Sequence, residues 1–375
     1  MSQARFSTAC GVLALVAACG GVSAAAWGGI VATVSARHEG TVQVEAGAVR
    51  VGQQVVPWRD VMVVTSDAPP GPGAGPHVVR LRNGEVLVGK VTGLTRAEAT
   101  LESALLGTRQ VKTEDVAAID FVPGLGDLGA EKPKSLHRVA GRPISGKLLW
   151  LRDGLLAIDA PIGAMELKLD GLNRYVFDTA AQKTAALAGD EVKLVDGGVL
   201  RGTVEPVQGG WVVEHPVFGR QTLGAQSWLA VRRFSGPAIY LADLRPVQER
   251  TYPLIRRPAD RLRIEFSPDG ATGTVSRIVI APKTDVKYQV PGDGARYVLN
   301  AGVRLIDGAR GVARLEIRVD GQVRTDKVLN PDAEKAVLVT CDVPGGSSLE
   351  VTVDFGDRIH FPCAVTIDNA LLVRQ

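Results

Sequence analysis

Three glycines, Gly107, Gly163 and Gly219, stand 56 residues apart, and the chain around them repeats. A large apolar residue precedes each (Leu106, Ile162, Phe218), and another follows nine residues on (Val116, Leu172, Trp228). Earlier in each copy a glycine opens a β-like run, at Gly89-Lys90-Val91, Gly146-Lys147-Leu148 and Gly202-Thr203-Val204. A weaker fourth copy places Gly52 and Val61 at the same spacing. Self-similarity at such a period predicts a repeat architecture rather than one enzyme-sized domain.

Each copy is about 45 residues of short alternating runs, such as His77 to Val91 and Ala99 to Glu102. Asn83-Gly84 and Asp196-Gly197 read as type I′ hairpin turns, in which both central residues take positive φ. The pattern predicts small SH3-like or Sm-like β units over 28–67 (a partial copy), 77–122, 137–179 and 189–234. Proline- and glycine-rich stretches, APPGPGAGP at 68–76 and PGLGDLGAEKPK at 123–134, divide them. Trp228 takes a core position. Two readings stand for Trp211, which follows Gly209-Gly210: core, or an exposed platform for a ligand.

Hydrophobic content of 45% and charged content of 22% are those of a folded globular chain. With 43 basic against 40 acidic residues, the charge is too balanced for nucleic acid to be the main partner. At the N-terminus, Arg5 precedes an apolar run from Cys10 to Val22 and then Val22-Ser23-Ala24, the layout of a secretory signal over 1–24. The run is shorter than the roughly 20 residues of a spanning helix. Val16-Ala17-Ala18-Cys19 resembles a bacterial lipobox, so two processing routes stand: cleavage near Ala24, or lipidation of Cys19. Either way the product is exported, with membrane contact only through a lipid anchor. Beyond the signal only Cys341 and Cys363 remain, read either as one disulfide or as two buried thiols.

Motifs of catalytic or cofactor chemistry are weak. Gly124-Leu125-Gly126-Asp127-Leu128-Gly129 matches a dinucleotide fingerprint, but Pro133 would break the helix that must receive the pyrophosphate. Gly141 to Lys147 has phosphate-loop spacing, yet Leu148 stands where a Ser or Thr must hold Mg²⁺. None of the five histidines, His38, His77, His137, His215 and His360, lies four residues from another. No zinc site is expected. No two carboxylates are singled out as a glycosidase pair. The chain is read as non-enzymatic, without cofactors.

From 238 onward the runs lengthen and tryptophan disappears. Eight strands are expected, near 262–266, 278–281, 286–290, 296–304, 314–319, 336–343, 348–355 and 364–373, which suits a two-layer jelly-roll sandwich. This segment resembles the NPCBM family of carbohydrate-binding modules, also described as the glycosyl hydrolase family 98 type. The resemblance rests on Tyr240-Leu241-Ala242-Asp243-Leu244, Val286-Lys287-Tyr288-Gln289-Val290, Tyr297 to Val303, the Asp320-Gly321 hairpin, Asp354-Phe355-Gly356-Asp357 and Ile367-Asp368-Asn369-Ala370-Leu371. Ala281 to Asp285 lacks the family's His, and Val365-Thr366-Ile367 stands in place of its Trp. The resemblance implies a polysaccharide or glycan partner. Rings available for it are Tyr252, Tyr288, Tyr297, His360 and Phe361, with Tyr288 and Tyr297 expected in the core. Asp357, Arg358, His360 and Phe361, in the loop before the last strand, are the expected ligand rim. The overall reading is an all-β exported glycan-binding protein of the cell envelope, or alternatively a structural protein that binds other envelope proteins.

Overall fold

The computed structural model describes residues 27–69, 71, 75–125, 132–177, 189–244, 246–252, 262–265, 276–331, 336–356 and 362–375. The segment expected to be a signal, with Cys19, and most of the glycine-rich fingerprint at 124–129 lie outside them.

Four five-stranded units come first. The first comprises Trp27–Thr33, Arg37–Glu45, Ala48–Val51, Gln54–Pro57 and Val61–Ser66; the second, His77–Leu81, Val86–Leu94, Glu98–Ser103, Gly107–Lys112 and Val116–Asp120. The third runs from Ser135–Arg138 through Ile144–Ser145 with Lys147–Arg152, Leu155–Ala160 and Gly163–Lys168 to Leu172–Val176. The fourth holds Asp190–Leu194, Val199–Val207, Gly210–His215, Gly219–Gly224 and Trp228–Arg232. In each, the first strand pairs antiparallel with both the second and the last, as in an SH3-like barrel. A 3₁₀ turn precedes the last strand in the first three units, at Trp58–Asp60, Thr113–Asp115 and Leu169–Gly171.

The repeat glycines are explained by backbone geometry. Gly52, Gly107, Gly163 and Gly219 turn the third strand into the fourth at φ of 58°, 71°, 114° and 64°, where a side chain is disfavoured. At Gly202 the reason is space instead: a Cβ there would lie 2.4 Å from the Glu214 carbonyl oxygen across the fold of the strand. The expected type I′ turns at Asn83-Gly84 and Asp196-Gly197 are corrected. Only the glycines have positive φ. Asn83 and Asp196 serve as Asx caps, accepting from the amides of Glu85 (3.0 Å) and Gly198 (2.8 Å). Their four-residue connections leave no need for a second left-handed residue.

The units join out of sequence order. The last strand of the second pairs with that of the third, centred on Ile119 opposite Tyr175; that of the first pairs with that of the fourth, centred on Val64 opposite Val231. All four residues stand twelve positions after their repeat glycine (Gly107 to Ile119, Gly163 to Tyr175, Gly52 to Val64, Gly219 to Val231). Both joints are therefore local two-folds with one register. At the first joint the buried Asp120 carboxylate accepts from Arg80 Nε at 2.9 Å and from Arg174, a residue of the third unit only 4% exposed. At the second, Trp211 of the fourth unit lies against Trp58 of the first, with centroids 5.1 Å apart. A third contact joins the second unit to the fourth. There His215 Nδ1 accepts from the Val217 and Phe218 amides (3.0 Å each), so Nε2 carries the proton toward Glu85 Oε1 at 2.8 Å.

Residues 238–375 form two facing sheets around a separate core. One runs Arg263–Glu265, Arg277–Ile280, Val365–Arg374, Arg296–Leu305, Val337–Pro344, with Ala238–Tyr240 also on Val365–Arg374. The other runs Gln248–Thr251, Thr284–Gln289, Ser348–Phe355, Ala313–Val319, Gln322–Leu329. From Thr284–Gln289 onward the chain crosses between sheets at almost every connection, as a jelly roll does. Buried residues alternate along the strands; Tyr288 and Tyr297, at 0% and 1% exposure, are core. Cys341 and Cys363 are buried free thiols, which decides between the two readings. Cys341 lies opposite Leu299, whereas Val365, just after Cys363, lies opposite Leu305 on the same strand. Six residues of strand separate them by roughly 20 Å, far beyond disulfide reach.

Ala32, Met62 and Val63 of the first unit pack on Ala238 and Tyr240 at the junction. Asp243 pairs there with Arg232 of the fourth unit and is 5% exposed. Burial pushes its carboxyl from 3.8 up to about 6, against the pull of Arg232. A carboxyl held more tightly protonated in the folded state favours folding fully below the unfolded value, and this is lost as pH rises through about 6. Relative to Asp243→Asn, the wild type is thus expected to lose stability between pH 4 and 7. Parallel denaturation curves of the two proteins across that range would show no divergence if the carboxyl were ordinary.

Candidate functional site

Connections gather at one end of the sandwich, and the backbone ties them together. Strand Ser348–Phe355 leads into Gly356, whose amide donates to the Val312 carbonyl at 2.9 Å. On the return side the Pro362 carbonyl accepts from Arg310 N at 2.9 Å, and Ala364 accepts from Ile306 N at 3.0 Å. Both feet of the 357–361 segment are therefore fixed to the 306–312 connection. Asp357, Arg358, His360 and Phe361, the expected rim, themselves lie outside the described residues.

Beside these feet is the connection through Pro282-Lys283. Lys283 takes φ of 64°, a left-handed conformation uncommon outside glycine, and its carbonyl accepts from Tyr252 N at 2.7 Å. Its ammonium reaches Asp354 Oδ1 at 2.8 Å; the two side chains are 39% and 42% exposed. Tyr252 is 57% exposed. An ammonium donor, a carboxylate acceptor and an accessible phenol ring thus share one edge of the frame. Such a set can hydrogen-bond vicinal hydroxyl groups while a ring covers an apolar face. The Lys283–Asp354 pair escaped sequence reasoning, because the left-handed turn that presents Lys283 has no composition signal outside glycine.

Farther in, Asp368 accepts from Arg277 Nε at 2.8 Å and Arg304 Nε at 3.2 Å, and Arg304 also reaches Asp307 at 2.8 Å. These bonds brace the strands behind the loops. Trp211 as a ligand platform is overturned: at 0% exposure it is enclosed by Trp58 and by Trp228, 5.4 Å away. The stretch with phosphate-loop spacing runs through the short strand Ile144–Ser145 into Lys147–Arg152, which holds Leu148, and leads into no helix. Among the described residues, no three His, Cys, Asp or Glu side chains are grouped so as to hold a metal ion.

No family model and no curated protein matches the chain. Solved structures do. One is the CBM51 module of Clostridium perfringens GH95 in complex with methyl-galactose, at 16% identity and TM-score 0.31, covering 36% of this chain and 99% of that one. Another is the tandem CBM51 pair of Sp3GH98 from Streptococcus pneumoniae SP3-BS71, at 12% identity and TM-score 0.31, covering 92% of this chain and 88% of that one. A third holds the CBM51-2 and INT domains of Clostridium perfringens ZmpB with GlcNAc, at 12% identity and TM-score 0.30; it covers 57% of this chain, which spans 44% of that one.

Proposed function

We propose that this is an exported, non-catalytic protein of the cell envelope that binds a glycan at the loop end of its C-terminal sandwich. The observation that carries the reading is the tethered frame itself, in which both feet of 357–361, the half-buried Lys283 and Asp354 and the exposed Tyr252 converge. Loops held by a rigid sandwich are where such function concentrates. In this reading the four units space the binding end from the envelope, and the N-terminal signal supplies export.

The test is a glycan-binding screen on the full chain, followed by Arg358→Ala with His360→Ala. The fold is expected to stay while affinity falls at least about tenfold. Affinity that survives the pair of changes moves the site elsewhere, and a protein that binds no glycan ends the reading.

A second reading, a structural protein that binds other proteins, is favoured by one observation. Ile162 and Val139, both in the third unit rather than the sandwich, are 85% and 64% exposed.

A further inference from the structure

The second and fourth units meet through the same face of each. Val86 pairs with Val199, and each stands three residues before the glycine of its bent strand, Gly89 or Gly202. Arg109 bonds to Gln221, and each stands two residues after its repeat glycine. A face that meets its own counterpart at matching positions is self-complementary, the property of an isologous contact. The contact buries much: Glu85 is 1% exposed and His215 3%, Leu106 is 5% exposed, and Phe218 is stacked on His215 at 4.2 Å with the Arg109 guanidinium 5.7 Å from its ring centroid.

The third unit carries the same face, and there it is open. Pro143 occupies the place of Val86 and is exposed. Ile162 precedes Gly163 as Leu106 precedes Gly107, yet is 85% exposed. Leu167 is half-buried where Val111 and Leu223, its counterparts, are 3% and 2% exposed. The hairpin is also one residue shorter, since two residues separate the paired Ala160 and Gly163 whereas three separate Ser103 from Gly107. The run Pro161-Ile162-Gly163-Ala164-Met165 has no charge and no aromatic ring, so it offers little to a sugar and much to an apolar surface. In the first unit the corresponding hairpin is cut to Gly52-Gln53, and the face is not built.

We propose that the third units of two copies of this chain dock through this face across a two-fold axis, as the second and fourth units do inside one copy. The internal contact is the precedent: the same face, at the same repeat positions, already serves as a self-complementary joint. The third unit's last strand is spent on the second unit, which leaves this face as its route to another unit. The proposal does not depend on glycan binding.

Sedimentation velocity on the full chain, over a concentration series, is the test. The mass is expected to double with concentration. Ile162→Asp combined with Pro143→Asp, both at exposed positions, is expected to stay monomeric with an unchanged circular-dichroism spectrum and melting temperature. In addition, Pro143→Cys is expected to yield a disulfide-linked dimer, because position 143 would face itself as Val86 pairs with Val199. A single-chain mass up to about 0.5 mM, the millimolar limit of weak association, overturns the proposal. So does a dimer that survives the double substitution, or one in which Pro143→Cys does not cross-link.

Discussion

Replacing Asp120 by alanine is expected to lower stability by about 3–5 kcal/mol, the usual cost of removing one partner of a buried ion pair. Its carboxylate, 0% exposed, is shared between Arg80 of its own unit and Arg174 of the next. Without it the Arg174 guanidinium stays in a nearly closed joint, deprived of the counter-charge that offset its desolvation. Asp120→Asn, which keeps the shape and an acceptor but not the charge, should fall between the two. Urea unfolding of the full chain reads the effect. A loss below about 1 kcal/mol would mean that both guanidinium groups reach water and the joint is not closed.

The second large effect is expected at Trp211. Its ring fills the space between Trp58 of the first unit and Trp228 of its own, so truncation to alanine opens a cavity at the seam. Such Trp→Ala changes cost about 3–5 kcal/mol. The four units share one core and the sandwich has another, so the early transition should belong to the repeats alone. Tryptophan emission reports on them specifically, because all five tryptophans precede residue 238. A single transition shifted as a whole would show that the two cores melt together, and an unshifted one that the ring is dispensable.

Local signals carried the repeats. A glycine forced by positive φ recurs wherever the hairpin recurs, and that made the period visible at Gly107, Gly163 and Gly219. The pairing of units was invisible, since Val64 and Val231 look like any core valines and nothing local says that they face each other. Strand Gln322–Leu329 was missed for another reason. It is an edge strand exposed at all but Thr325 and Leu329, so its sequence lacks the alternation that marks half-buried strands. At Asn83 and Asp196 the turn residues were recognised but their job was misjudged, because a side-chain cap and a left-handed backbone favour the same amino acids. At the candidate site, the break between the strand that ends at Phe355 and the one that starts at Val365 was legible. Its neighbours Lys283 and Asp354 were not, because only the folding of two distant strands onto one edge brings them together.

The order in which the units join has a consequence in time. Arg233, just beyond the strand that completes the first unit's joint, lies 175 residues after its partner Trp58. At synthesis rates of 5–20 residues per second, roughly ten to thirty seconds pass before the first unit meets the fourth. Throughout that interval the edge of Val61–Ser66 is open to whatever strand arrives first, and the last strands of the second and third units emerge ahead of the rightful one. The register at both joints is the same, so a wrong partner would fit. Keeping the second and third units engaged with each other early is then what guards the first, and weakening that joint would show as misassembled chains before it showed as a lower melting point.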